Sequence, residues 1–201
     1  LIIETKNNDL MKSFIVKGSM DIKSKTLIID PEKKVEILLP VNIKNMGYES
    51  ILKYKYRLMV LFEANGINVN SDPKASFYNS SLKQKGHISF PNIEYRITDA
   101  TELDDQGRFW AINFFWPGEK KRLNPGKDLV LNNTVKGETH QEFEHVERLV
   151  EFKIDGKNIY KTNSLPIQLK LNQNSRNWEG VVRMENKGFL MIVDEHPRTI
   201  L

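Results

Sequence analysis

Residues 176–197 read RNWEGVVRMENKGFLMIVDEHP. Trp178 and Glu179 open a short apolar run, Lys187-Gly188 mark a turn, and a longer apolar run ends in Asp194 and Glu195. The continuous run FLMIV between turn residues predicts a strand buried on both faces. Carboxylates so close to the ends of buried strands need a reason, because an unpaired charge among apolar groups is costly.

The layout recurs. MGYESILKYKYRLMVLFEANG (46–66) and RITDATELDDQGRFWAINFFWPG (96–118) repeat it. In each stretch an acid, Glu49, Asp99 or Glu179, precedes a short apolar strand, a polar turn and a longer apolar strand. Leu61, Ile112 and Ile192 fall in corresponding positions, 12, 13 and 13 residues after the acid. The step from Glu49 to Asp99 is 50 residues and the step to Glu179 is 80. A unit of four antiparallel strands recurring every 40–50 residues or so is the blade of a β-propeller. The longer step then needs an insertion, for which the polar, Pro- and Gly-containing stretch 117–140 is the candidate, or a further blade. In a propeller the first strand of each blade lines the central channel, so the three acids are expected to converge there. Like charges held together need a cation, protons or water.

Other segments agree with an all-β fold. TLIID (26–30), VEILLPV (35–41) and RLVEFKI (148–154) carry strand composition, with Asp30-Pro31 and Asp155-Gly156 as turn signals. RLVEFKI alternates and predicts a half-exposed strand, and ASFYNSS predicts a short one. The best helical stretch is ETHQEFEHVE, 138–147. The 201 residues, 28% charged and 39% hydrophobic, are ordinary for a folded globular chain and contain no apolar run near the roughly 18–20 residues of a membrane-spanning helix. No cysteine is present, which excludes disulfides, thiol catalysis and zinc–thiolate sites. A net charge of +4, with basic runs only at Lys33-Lys34 and Lys120-Lys121-Arg122 and no interleaved aromatics, argues against nucleic acid as a partner.

The segments NWEGVVRMENKGFLMIVDE, YESILKYKYRLMVLFE, ITDATELDDQGRFWAINF and ERLVEFKIDGKNI resemble the phytase-like, or esterase-like, β-propeller proteins of bacteria, distantly related to the gluconolactonase and strictosidine-synthase propellers. The resemblance covers about residues 46–201. It implies a single propeller domain over 1–201, of a type with six blades. At roughly 45 residues per blade this would need about 270 residues, so about three and a half blades are expected here and the N-terminal ones are expected to be absent. It also implies a divalent cation, calcium by the hardness of carboxylate oxygens, held by Glu49, Asp99 and Glu179. The implied activity is metal-assisted hydrolysis of an ester or phosphoester, and the implied location is extracytoplasmic: periplasmic, secreted or lipid-anchored. The chain departs from the family pattern at Ser50, where the third repeat has Gly180, and at Phe114, where the others have Glu63 and Asp194.

Beside the metal ligands that the resemblance implies, Trp178, Glu63 and Asp194 are the candidate substrate pocket and His196 the candidate proton carrier. TDATELDDQG lacks the spacing of an EF-hand loop and reads as a charged hairpin turn. His140 and His145 are five apart with Gln141 after the first, so they do not form a zincin pair. Nucleophile-elbow, dinucleotide-binding and P-loop motifs are absent from the sequence. The alternative to a hydrolase is a non-catalytic binding module or scaffold for a protein or glycan partner.

Overall fold

A computed structural model describes residues 2–7, 10–132, 134–185, 187–195 and 198–200. The fold is mostly β, as expected, and comprises four antiparallel sheets taken in chain order. The first holds β1 (Ile2–Asn7), β2 (Leu10–Asp21) and β3 (Thr26–Ile37). The second is the meander β4 (Tyr48–Tyr54), β5 (Arg57–Phe62), β6 (Lys74–Tyr78) and β7 (Gln84–Ser89). The third orders β8 (Arg96–Ala100), β9 (Arg108–Phe115), β10 (Val146–Ile154) and β11 (Ile159–Lys161), with β12 (Ile167–Gln168) also on β10. The fourth holds β13 (Trp178–Arg183), β14 (Phe189–Glu195) and β15 (Arg198–Ile200).

The sheets pack face to face in sequence order. Ile15 and Ile37 of the first sheet meet Tyr48, Val60 and Phe62 of the second. The opposite face of β5, through Met59 and Leu61, packs on Phe109, Ala111 and Phe152 of the third. Ile112, Phe114 and Leu149 then meet Val181, Phe189 and Met191 of the fourth. A strand apolar on both faces is what such a double interface demands, and RLMVLF supplies it. The leading strands lie side by side, β1 against β4, β4 against β8 and β8 against β13.

Several local expectations change. The helical stretch shrinks to α2 (Glu138–Glu142), following the single turn α1 (Lys120–Leu123). The chain is extended again from Val146, because ERLVEFKI is drawn into pairing with β9 along its whole length. TLIID and the first residues of VEILLPV form one strand ending at Ile37, and Pro31 falls in an irregularity of its pairing, which jumps from Lys17↔Asp30 to Val16↔Lys34 and so asks no ladder hydrogen bond of the proline. RLVEFKI is buried on both faces rather than half-exposed, since its polar side chains are paired. Arg148 donates two hydrogen bonds to Asp128 at 2.7 and 2.9 Å and one to Asn113 at 2.8 Å. Glu151 accepts from Thr162 and Ser164 at 2.7 and 2.6 Å. Conversely, FLMIV is covered on one face only: Leu190 and Ile192 are 55% and 39% exposed. The stretch 117–140 lies in the long connection between β9 and β10 of one sheet, which accounts for the 80-residue step from Asp99 to Glu179.

Candidate functional site

The strand-start acids share a backbone feature. Pairing slips between Tyr48 and Ser50, between Ile97 and Ala100, and between Trp178 and Gly180, so Glu49, Asp99 and Glu179 each sit in a β-bulge. A bulge adds twist and re-aims the side chain beside it. The residues opposite the position after each acid are Leu61, Ala111 and Ile192, so Ala111, not Ile112, is the true equivalent in the third sheet.

Two of the three acids converge on a basic group, Arg96 at the start of β8. Its Nη2 donates to Glu49 at 3.2 Å and stands 3.7 Å from Glu179. Its Nε donates to Glu63 at 2.6 Å, and its Nη1 lies 3.7 Å from Glu119 and donates to Asn177 at 3.5 Å. The guanidinium also lies over the Phe114 ring. Glu63 is fully buried and accepts from the Gly47 N–H at 2.7 Å. A Cβ at Gly47 would come within 1.6 Å of the Glu4 carboxyl and 2.6 Å of the Ser13 hydroxyl, so a larger residue there would have to displace both groups. Glu4, on β1, accepts from Ser13 at 3.2 Å, feels the charge of Arg96, and stands 45 residues before Glu49.

Asp99 does something else. Its carboxylate accepts the Val181 N–H at 2.8 Å, and Thr98 donates to the Trp178 carbonyl at 2.5 Å. These bonds fasten the leading strand of the third sheet to that of the fourth. The Ile97 N–H donated to the Glu63 carbonyl at 2.9 Å fastens the second to the third in the same way.

Burial governs the titration of the cluster. It pushes Glu63 up to about 7 against the opposing charge of Arg96. Burial and the neighbouring Glu63 raise Glu49 well above the ordinary carboxylate range. Burial likewise raises Glu179, Asp99 and Glu4. Burial opposes the charge on Arg96, but Glu63, Glu49, Glu119 and Glu179 outweigh it and hold the guanidinium protonated. The repulsion that the sequence posed is therefore met by one organic cation and by protons.

That arrangement does not fit the calcium implied by the family likeness. The point between Glu49 and Glu179 faces a guanidinium, beside which a dication meets like charge. Asp99 is committed to the Val181 N–H. Among the described residues no group of three or more His, Asp or Glu side chains has a metal-holding arrangement.

A cleft of about 1010 Å³ opens onto the cluster. Arg96, Phe114 and Glu119 contribute to it, Trp116 and Pro117 stand on one side, and His145, residues 172–177, Val193 and Asp194 form the rest. The 172–177 wall is anchored by Glu147, which is fully buried on β10 and was not singled out in the sequence. It accepts from the Arg176 N–H at 2.8 Å, Arg176 Nε at 2.9 Å and Trp178 Nε1 at 2.7 Å. Arg176 also lies over the Trp178 ring at 4.9 Å. Trp178 is thus a support behind the wall, Asp194 lines the cleft, and Glu63 is buried in the cluster with Arg96. His196 lies outside the described residues. His140 and His145 are buried between the third sheet and its insertion, with burial lowering His140.

The raised carboxyls set a pH dependence. A carboxyl with a folded pKa above its unfolded one takes up a proton on folding. Its contribution is complete below the ordinary value of 4.5 and is lost as pH rises through about 7. The melting temperature is expected to fall between about pH 5 and about pH 8, with Glu63→Gln flattening the slope. A midpoint that climbs over that window, or a slope untouched by the substitution, contradicts the assignment. Calcium titration is expected to give heat of dilution alone; saturable heat that Glu179→Gln abolishes would restore the metal reading.

No protein-family model matches the chain and no curated protein matches it, so the chemistry of the site rests on its own geometry.

Proposed function

We propose that the four sheets are blades of a β-propeller and that the cleft over Arg96 is the ligand site of a non-catalytic binding module for a glycan. The radial reading is supported by the serial face-to-face packing and by the adjacency of the leading strands. The bulged acids, repeated at the same point of three sheets, support it too. The exposed apolar face of the fourth sheet, with Val182, Leu190 and Ile192, is the kind of surface a further blade covers.

The observation that carries the glycan reading is Trp116. Its indole is 51% exposed at the cleft and rests on Gly118, where a Cβ would come within 2.3 Å of the ring. An aromatic plane half in solvent is an apolar platform with only two side-chain torsions to fix on binding. Around it stand Asn172, Gln173, Asn174 and Asn177, amides that both donate and accept and so match hydroxyl groups. The competing hydrolase reading needs carboxylates free to hold a metal or move protons, and Glu49, Glu63 and Glu179 are engaged with Arg96.

Calorimetry against a panel of linear oligosaccharides tests the proposal. At least one is expected to bind, and Trp116→Ala is expected to weaken it by about tenfold or more, equivalent to about 1.4 kcal/mol. Absence of binding across the panel, or an unchanged affinity in the variant, rejects it. Hydrolysis of simple carboxylate or phosphate esters that disappears in Glu179→Gln would establish the hydrolase instead.

A further inference from the structure

Glu119 is the one carboxylate of the cluster that also lines the cleft. The residue is 4% exposed. Its Oε1 accepts from Arg122 Nη2 at 2.9 Å and stands 3.7 Å from Arg96 Nη1. Its Oε2 is buried with no hydrogen-bond partner among the described residues. A buried carboxylate oxygen left without a donor costs more than an ordinary hydrogen bond gains, so a ligand that brings a donor recovers that cost.

Resting on the glycan reading, we infer that Glu119 makes the cleft selective for glycans that carry free amino groups. Two kinds of sugar donor fit an orphan carboxylate oxygen, a hydroxyl and an ammonium, and the surrounding charge decides between them. Arg96 and Arg122 face Glu4, Glu49, Glu63, Glu119 and Glu179. Arg176 and Asp194 also line the cleft, and Arg176 is matched by the buried Glu147, so Arg96 and Arg122 are left against the more numerous acids around Glu119 and the site favours a cation over a neutral hydroxyl. Trp116 lies three residues before Glu119, and the short Pro117–Glu119 turn sets both on the same cleft. An ammonium held there meets the negative face of the indole as well as the carboxylate, and the two attractions add. An N-acetylated sugar keeps an amide N–H but loses the charge, so acetylation removes the Coulombic part of the recognition.

The test compares three oligosaccharides of equal length by calorimetry: a fully deacetylated glucosamine oligomer, its N-acetylated counterpart and a neutral glucose oligomer. The wild-type protein is expected to bind the glucosamine oligomer about tenfold or more tightly than the other two. Glu119→Gln is expected to bring that ratio close to one, while Trp116→Ala weakens all bound ligands and leaves the ratio above one. In the wild-type protein the ratio is expected to shrink with added salt, since the selective part is electrostatic. This salt series stands independently of whether Glu119→Gln folds. Equal affinity for charged and neutral oligomers, a ratio indifferent to salt, or a Glu119→Gln protein that keeps the preference overturns the inference while leaving the glycan site intact. Binding of none of the three overturns both.

Discussion

One guanidinium holds the middle of this molecule. Arg96 reaches carboxylates on four different parts of the chain: Glu49 on β4, Glu63 just after β5, Glu119 in the insertion and Glu179 on β13. Without it Glu119 keeps Arg122, but Glu49, Glu63 and Glu179 lose this ion pair, and an ionised group left alone in such surroundings costs several kcal/mol by the usual order of magnitude. A buried ion pair is a poor source of net stability compared with apolar packing, but it is demanding about geometry. The cluster therefore acts less as glue than as a specification. The second, third and fourth sheets must present their leading ends to one point, or the charges are stranded.

Hydrogen bonds between leading strands serve the same end. Tyr48 donates its N–H to Ser13 between the first and second sheets, Ile97 donates to the Glu63 carbonyl between the second and third, and Val181 donates to Asp99 between the third and fourth. The apolar contacts between sheets supply most of the driving force, since the packed faces carry the large buried side chains. Apolar faces alone tolerate sliding; the polar seam along the leading strands fixes register. Arg96, at the start of one of these leading strands, also lines the cleft, whose 172–177 wall is tied to Glu147 on β10.

Much of the strand layout was legible in the sequence, because turn residues and apolar runs have local causes. The hairpins at the polar turns of the three repeats, the last at Lys187-Gly188, lie where those signals put them. The convergence of Glu49 and Glu179 was legible as a repeat. Arg96 was passed over because the repeat was sought among acids. A signal existed: Arg96 and Arg176 each stand three residues before a strand-start acid, and each pairs with a buried glutamate, Glu63 and Glu147. Glu4 belongs to the same series at a 45-residue step, but IIETKN lacks the apolar strand that follows the other acids. The burial of RLVEFKI was hidden because its partners, Asn113, Asp128 and Ser164, lie in other segments of the chain, and alternation reports only what one strand does by itself. Glu119 sat inside a polar insertion whose folding depends on contacts that no local pattern encodes.

A double-mutant cycle on Arg96 and Glu63 tests the central claim most directly. Denaturant unfolding is measured for the wild-type protein, Arg96→Met, Glu63→Gln and the pair. Loss of the cation alone is expected to cost about 3–5 kcal/mol, because it leaves several buried carboxyls facing one another. The double variant is expected to be more stable than Arg96→Met, with a coupling of about 0.5–3 kcal/mol. Effects that simply add, or an Arg96→Met protein within about 0.5 kcal/mol of wild type, would show that the guanidinium does not hold the acids together.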